Sequence, residues 1–219
     1  MRKGLTEIVF VLDESGSMGS AKSDTIGGFN EFLRNQKKIR GEVKFTFVKF
    51  SDYYHVINEG TDLRHVSELN DDNYIPSAMT ALLDAVGKTV NKVNKRIKDT
   101  PKWDRPEKVL FVVLTDGLEN ASHEFTERLA VPNLVKKMKD KHGWEFLFMG
   151  ADIDAWAGGQ SVGIYNTVNT SKDDMTRSFK GISNYTAMYR VGATETMTMD
   201  NFDLSEDELD QQMEDLQKK

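Results

Sequence analysis

The sequence predicts an open, doubly wound α/β sheet, mostly parallel with one antiparallel edge strand, followed by a short acidic C-terminal helix. Three patterns predict it. Two continuous apolar runs rich in β-branched residues, Glu7 to Leu12 (EIVFVL) and Lys108 to Leu114 (KVLFVVL), have the character of strands buried on both faces. Around these runs apolar residues recur at helical spacing, so strands alternate with helices, and that alternation requires crossover connections and a sheet covered on both sides. Finally, 219 residues with 38% apolar and 29% charged side chains suffice for one large domain with a core of its own.

The elements follow in order. Glu7 to Leu12 forms the first, central strand. Ile26, Phe29, Phe32 and Leu33 mark a helix that stops before Gly41, and Val43, Phe45 and Phe47 alternate with Lys44 and Thr46 as in a strand. Ser51 and Asp52 supply turn chemistry before Tyr53 to Ile57, the antiparallel edge strand. Leu82, Val86, Val90, Val93 and Ile97 define a second long helix, and Lys108 to Leu114 is the next strand. A helix with Pro132 in its first turn, basic residues at its end and Gly143 beyond it leads to the strand Trp144 to Met149. Ala155 to Val162 forms a short helix and Tyr165 to Val168 the last strand. A capping box of Ser171 and Asp174 then opens a helix carrying Met175, Phe179, Ile182 and Tyr189.

Charge divides the chain into a domain over 1–194 and an acidic tail over 195–219. Nine acidic residues in the tail stand against Lys218 and Lys219, a net −7; since the whole chain carries −6, the body is left at +1. A near-neutral body does not favour nucleic-acid binding. No run approaches a membrane span, and Arg2 and Lys3 precede an apolar stretch too short for a signal-peptide core. With no Cys, disulfides, thiolate zinc sites and cysteine nucleophiles are excluded, and a cytoplasmic setting, microbial or viral, is expected. In the tail, Ser205 and Glu208 form a capping box, and Leu209, Met213 and Leu216 give an apolar stripe, so a helix over 205–217 is expected, either packed on its own domain or left as a solvated acidic end, with docking on a partner as the rival reading.

The loop after the first strand, Asp13-Glu14-Ser15-Gly16-Ser17, carries the most chemistry. Asp13, Ser15 and Ser17 alternate and can present one carboxylate and two hydroxyls to a hard cation, while Gly16 permits a tight turn. In an open α/β sheet, ligands bind beyond the carboxyl ends of the strands where strand order reverses, which is where a central first strand delivers this loop. The second buried strand delivers Thr115-Asp116-Gly117 to the same edge, with Asp116 facing the cation directly or through water.

These residues resemble the von Willebrand factor type A domain and its metal-ion-dependent adhesion site, whose pattern is D-x-S-x-S, a later Thr and a later Asp. The resemblance covers roughly residues 5 to 192 and implies that Thr80, in Met79-Thr80-Ala81, and Asp116 join Asp13, Ser15 and Ser17 as metal ligands. Where the family often has Gly-Gly before the Thr, this chain has Ala78-Met79, a departure that bears on how the second loop approaches. The implied cofactor is Mg²⁺, with Mn²⁺ or Ca²⁺ as substitutes, its open positions held by water at about 2.1 Å. The implied partner is a protein whose acidic side chain completes the coordination, so the chain is expected to be a metal-dependent protein-binding module and not an enzyme.

Other readings compete. Gly16 to Ser23 matches a phosphate-binding loop at every point but Ala21, yet Asp13 and Glu14 would repel phosphate and Ala21 replaces a glycine the loop needs. A haloacid-type phosphotransferase would require D-x-D where this chain has D-x-S. A metal-assisted hydrolase or phosphoryl-transfer enzyme shares the same site, but His55, His65, His123 and His142 lack ligand spacing, and Asp152 and Asp154 read as helix-capping or exposed carboxylates. A scaffold role in a microbial or viral assembly is the rival within the binding class.

Overall fold

The two most apolar runs lie side by side at the centre of a six-stranded sheet ordered β3-β2-β1-β4-β5-β6. The strands are β1 (Arg2–Asp13), β2 (Glu42–Phe50), β3 (Tyr54–Asp62), β4 (Pro106–Thr115), β5 (Glu145–Ala151) and β6 (Thr167–Thr170). All pairings are parallel except β2 with β3, so the antiparallel strand is an edge strand. The helices are α1 (Lys22–Lys38), α2 (Leu82–Asp99), α3 (Ala130–His142), α4 (Ala155–Val162), α5 (Met175–Val191) and α6 (Glu206–Gln217). The structure, a computed structural model, describes residues 1–192 and 204–217, and the expected boundary between 194 and 195 lies outside the described residues.

Successive side chains of a strand point to opposite faces, and β1 fills both. Ile8, Phe10 and Leu12 pack with Phe29, Phe32 and Leu33 of α1 and with Phe179 and Ile182 of α5. Val9 and Val11 pack on the other face with Val86, Val90 and Val93 of α2 and with Val131 and Val135 of α3. The Phe10 ring lies 5.4 Å from that of Phe32, 5.5 Å from Phe29 and 6.2 Å from Phe179, within the range of favourable aromatic pairs. Glu7 interrupts the apolar pattern of β1: fully buried, it is ion-paired with Arg96 of α2 and accepts a hydrogen bond from Thr46.

Strand boundaries differ from the sequence pattern in several places: β4 runs over Pro106–Thr115 and β5 over Glu145–Ala151. β1 begins at Arg2, and β3 continues to Asp62, because backbone pairing extends past the apolar residues that signal the strand. β6 is Thr167–Thr170 and not Tyr165 to Val168; its register is set by pairing with Phe148 to Ala151, and Tyr165 is left exposed against the ring of Trp156. The expected Ser171–Asp174 capping box does not form. Ser171 Oγ accepts instead from the Asp173 amide in a short 3-10 turn, and α5 starts at Met175. The box in the tail does form, with Ser205 and Glu208 exchanging both bonds, and Leu209 and Met213 of α6 line a groove with Ile39 and Ala187 beside α1 and α5. Among the described residues no helix is long and apolar enough to cross a membrane.

From β1 the chain runs outward to β2 and β3, then returns through a long connection and α2 to enter β4 on the other side of β1. The order therefore reverses between β1 and β4, and their carboxyl ends flank the crevice this topology opens.

Candidate metal centre

Asp13 ends β1 fully buried, and its two carboxylate oxygens are held separately. Oδ1 accepts from the Ser15 amide at 2.6 Å, and Oδ2 accepts from the Thr115 hydroxyl at the end of β4. The bond to Ser15 closes a tight local turn that carries the loop away from the strand. Ser15 Oγ stands 3.1 Å from Ser17 Oγ, and Ser17 Oγ donates to Asp116 Oδ1 at 2.6 Å. Four of the five expected residues are thus joined in one hydrogen-bonded cluster spanning the ends of β1 and β4.

The fifth, Thr80, arrives on the connection between β3 and α2. Long connections without regular structure are uncommon inside a compact domain, and this one is fastened along its length. Asn30 exchanges two bonds with the backbone of Leu69, Lys49 Nζ donates to Asn73 O, and the Tyr74 hydroxyl donates to Asp13 O at 2.7 Å. The Glu14 carboxylate accepts from the Ile75 amide and from Lys49, and the Glu14 carbonyl accepts from the Ser77 amide. Gly16 N donates to Ala78 O at 3.1 Å, so the two loops meet directly. Ala78 takes the family's glycine position with φ 63, a left-handed conformation that costs a residue with a Cβ roughly 1–2 kcal/mol.

Thr80 is then clamped to the β4 loop: its amide donates to Asn120 Oδ1 at 2.8 Å and its carbonyl accepts from the Asn120 amide at 3.0 Å. Its hydroxyl lies over Gly117, where an added Cβ would come within 2.7 Å of Thr80 Oγ1. Gly117 therefore leaves the room that the Thr80 hydroxyl occupies.

Burial pushes the Asp13 carboxyl up to about 6, against the hydrogen bonds from Thr115 and Ser15 that lower it, and the neighbouring charge of Asp116 adds to the rise. A buried carboxylate in this position is short of positive charge. Asp116, also buried, has its Oδ2 2.6 Å from Nζ of Lys172, which reaches in from the turn between β6 and α5.

The rival groups lie elsewhere. Asp154 caps α4 by accepting from the Trp156 and Ala157 amides, and Asp152 accepts from the Lys172 amide. His55 lies on β3, His65 follows that strand, His142 ends α3, and His123 donates its amide to Asp84. The phosphate-loop segment winds into a 3-10 turn over Gly16–Ala21, and the amides of Gly16 and Met18 are spent on Ala78 O and Ser15 O. Among the described residues, no group of three or more His, Cys, Asp or Glu stands together to hold a metal. The oxygen donors brought together at this crevice are the carboxylates of Asp13 and Asp116 and the hydroxyls of Ser15 and Ser17, with Thr80 beside them.

Sequence reasoning missed Thr115, Tyr74, Asn120 and Lys172. Thr115 had a signal, since it precedes Asp116 in the same strand-end turn. The others lie at separations of 40 to 61 residues from the groups they hold, and no local pattern marks them.

The family model of the von Willebrand factor type A domain matches residues 7–207. Among solved structures, the von Willebrand factor domain of the type V pili tip protein Mfa5 from Porphyromonas gingivalis superposes with a TM-score of 0.61 at 12% identity, covering 89% of this chain and 98% of that one. A von Willebrand factor type A structure from Catenulispora acidiphila gives 0.54 at 10% identity, covering 81% of this chain and 42% of that one. Proximal thread matrix protein 1 from the mussel byssus, in a form described as having a zinc-occupied metal-ion-dependent adhesion site, gives 0.53 at 16% identity, covering 83% and 46%. The chain thus spans less than half the length of the latter two. No curated protein matches it. With the family model extending over nearly the whole chain and the sheet order observed, the protein belongs to the von Willebrand factor type A domain family.

Proposed function

We propose that this domain is a divalent-metal-dependent protein-binding module in which Asp13, Ser15, Ser17, Thr80 and Asp116 hold Mg²⁺ and an acidic side chain of a partner protein completes the coordination. The observation that carries this reading is the cluster itself: Asp13, Ser15, Ser17 and Asp116 are linked by hydrogen bonds at the reversal of strand order, and Thr80 is clamped beside them. All the donors are oxygens, the set preferred by hard cations, and the buried Asp13 carboxylate has a deficit of positive charge that such an ion would fill. When bound, the ion would supply a concentrated positive charge with positions open to an outside oxygen anion.

The protein groups do the rest. Thr115 and the Ser15 amide orient the Asp13 carboxylate, and Asn120 and Gly117 set the position of the Thr80 hydroxyl. Hydroxyls contribute donors without charge, so few protein anions neutralise the ion and it stays attractive to a carboxylate. Binding rather than catalysis is favoured because the groups shown around Asp13 and Asp116 are hydroxyls, amides and one ion-paired ammonium. The domain division at 194/195 is kept in this reading, as is a cytoplasmic setting, which rests on the cysteine-free composition and is checked by fractionating the native host.

Isothermal titration with Mg²⁺ and Mn²⁺, followed by partner capture from the native host with wild type and Asp13→Ala in Mg²⁺ and in chelator, tests the proposal. A partner retained by folded wild type in Mg²⁺ alone supports the metal bridge. Equal retention in all four conditions would overturn it.

A further inference from the structure

Lys172 Nζ lies 2.6 Å from Asp116 Oδ2, and that carboxylate is fully buried while the lysine side chain is only 21% exposed. The other oxygen of Asp116 is already engaged by Ser17, the residue that links it to the rest of the cluster. The lysine is delivered deliberately. Its amide donates to Asp152 Oδ1, and the Asp152 amide donates to Thr170 O at 3.0 Å, with Asp152 itself at φ 55, so the turn between β6 and α5 is tied to the end of β5. A long ammonium side chain anchored at its backbone and largely shielded from water is a tethered cation, placed at a carboxylate that the proposed function assigns to the metal.

We propose that Lys172 is an internal competitor for the metal: its ammonium neutralises Asp116, and a divalent ion gains full use of that carboxylate only when the lysine withdraws. The inference rests on the metal reading of this crevice and adds a residue that sets its affinity. With Lys172 in place, Asp13, Asp116 and the ammonium carry a net charge of −1; with the ammonium removed they carry −2, and a cation is held more tightly. A metal and an ammonium sharing one buried carboxylate also repel each other, so the lysine holds the domain in a weakly metal-loaded state until a partner's anion compensates. By reciprocity, whatever the metal does to the Lys172–Asp116 pair, the pair does to the metal.

The test is titration of Mg²⁺ and of Mn²⁺ into the full chain by calorimetry for wild type, Lys172→Met and Lys172→Arg, with melting temperatures in chelator and in saturating metal. Lys172→Met keeps the alkyl stem and loses the charge; it should bind either ion about tenfold more tightly than wild type and gain more melting temperature from the metal. Lys172→Arg keeps the charge and should stay within about twofold of wild type. Asp13→Ala combined with Lys172→Met should abolish the gain, which shows that the ion counted is the one at this crevice. Equal affinity in wild type and Lys172→Met would overturn the competitor role and leave the metal site standing. So would weaker binding in Lys172→Met, or a tightening in Lys172→Arg as large as in Lys172→Met, since packing and not charge would then be responsible. Metal binding by neither wild type nor Lys172→Met nor Lys172→Arg would overturn the metal reading and the inference with it.

Discussion

Replacing Asp13 by Asn should stabilise the protein in chelator at pH 8 while destroying its response to Mg²⁺. Asn has the shape of Asp, its Oδ1 can still accept from the Ser15 amide, and its amide group can donate to the Thr115 hydroxyl, so both bonds that orient Asp13 survive. What is lost is a buried charge. The Asp13 carboxyl is raised from 3.8 to about 6 in the folded protein, chiefly by burial. A carboxyl with a raised folded pKa opposes folding fully above the folded value and not at all below the unfolded one, the reverse of a salt-bridged Asp. At pH 8 the opposition amounts to about 3 kcal/mol, since each pH unit between the two values is worth 1.36 kcal/mol. For a domain of this size that is roughly 6–12 °C in melting temperature. Thermal melts of wild type and Asp13→Asn, each in chelator from pH 8 to pH 4, measure the gap. It should be largest at pH 8, shrink below about pH 6 and be nearly closed at pH 4; taking the difference cancels the other carboxylates. Saturating Mg²⁺ should raise the melting temperature of wild type alone. Equal melting in chelator at pH 8, or a gap that widens on acidification, would refute the argument that Asp13 is a buried carboxylate kept at the expense of stability.

Gly117→Ala would place a Cβ 2.7 Å from Thr80 Oγ1 and push that hydroxyl off the site; Mg²⁺ affinity by calorimetry should fall at least tenfold, with about 1–3 kcal/mol lost in urea unfolding. Ala78→Gly relieves the left-handed strain at φ 63 and should stabilise the protein by about 1 kcal/mol by chemical denaturation, with metal affinity unchanged. Arg96→Ala leaves the Glu7 carboxylate buried without its partner and should cost about 3–5 kcal/mol, whereas Glu7→Gln combined with Arg96→Met should cost much less; a double-mutant cycle in urea separates the two.

The order and character of the strands were legible because parallel strands buried on both faces carry uninterrupted apolar runs, and the helices because their buried stripes recur at 3.6 residues. The ends of elements were less legible. β6 is short and held by pairing with β5, so its residues carry little pattern of their own, and Tyr165, which reads as strand, stands in solvent instead. The capping box at Ser171 looked the same in sequence as the one at Ser205, yet only the second formed, because at Ser171 the backbone is committed to the turn that reaches Asp152. Glu7 reads as the first residue of an apolar strand and gives no hint of the ion pair it makes 89 residues away.

For the crevice, the sequence by itself determined the donor types and two of the three loops that bear them: D-x-S-x-S and T-D-G each follow a buried strand, and a strand's carboxyl end is where such loops emerge. Thr80 entered through resemblance, since nothing around it distinguishes it from a helix-capping threonine. Only the tertiary structure decided that its loop folds back through Tyr74, Glu14 and Lys49 to meet Gly16, that Asn120 clamps it to the β4 loop, and that Lys172 reaches Asp116 from the turn between β6 and α5. The division has a physical cause. Apolar periodicity and turn chemistry act between residues a few positions apart and leave their mark in the order of the chain. The charge and hydrogen-bond balance of a buried crevice is settled among groups brought together from several strand ends, and it exists only once the sheet has closed around them.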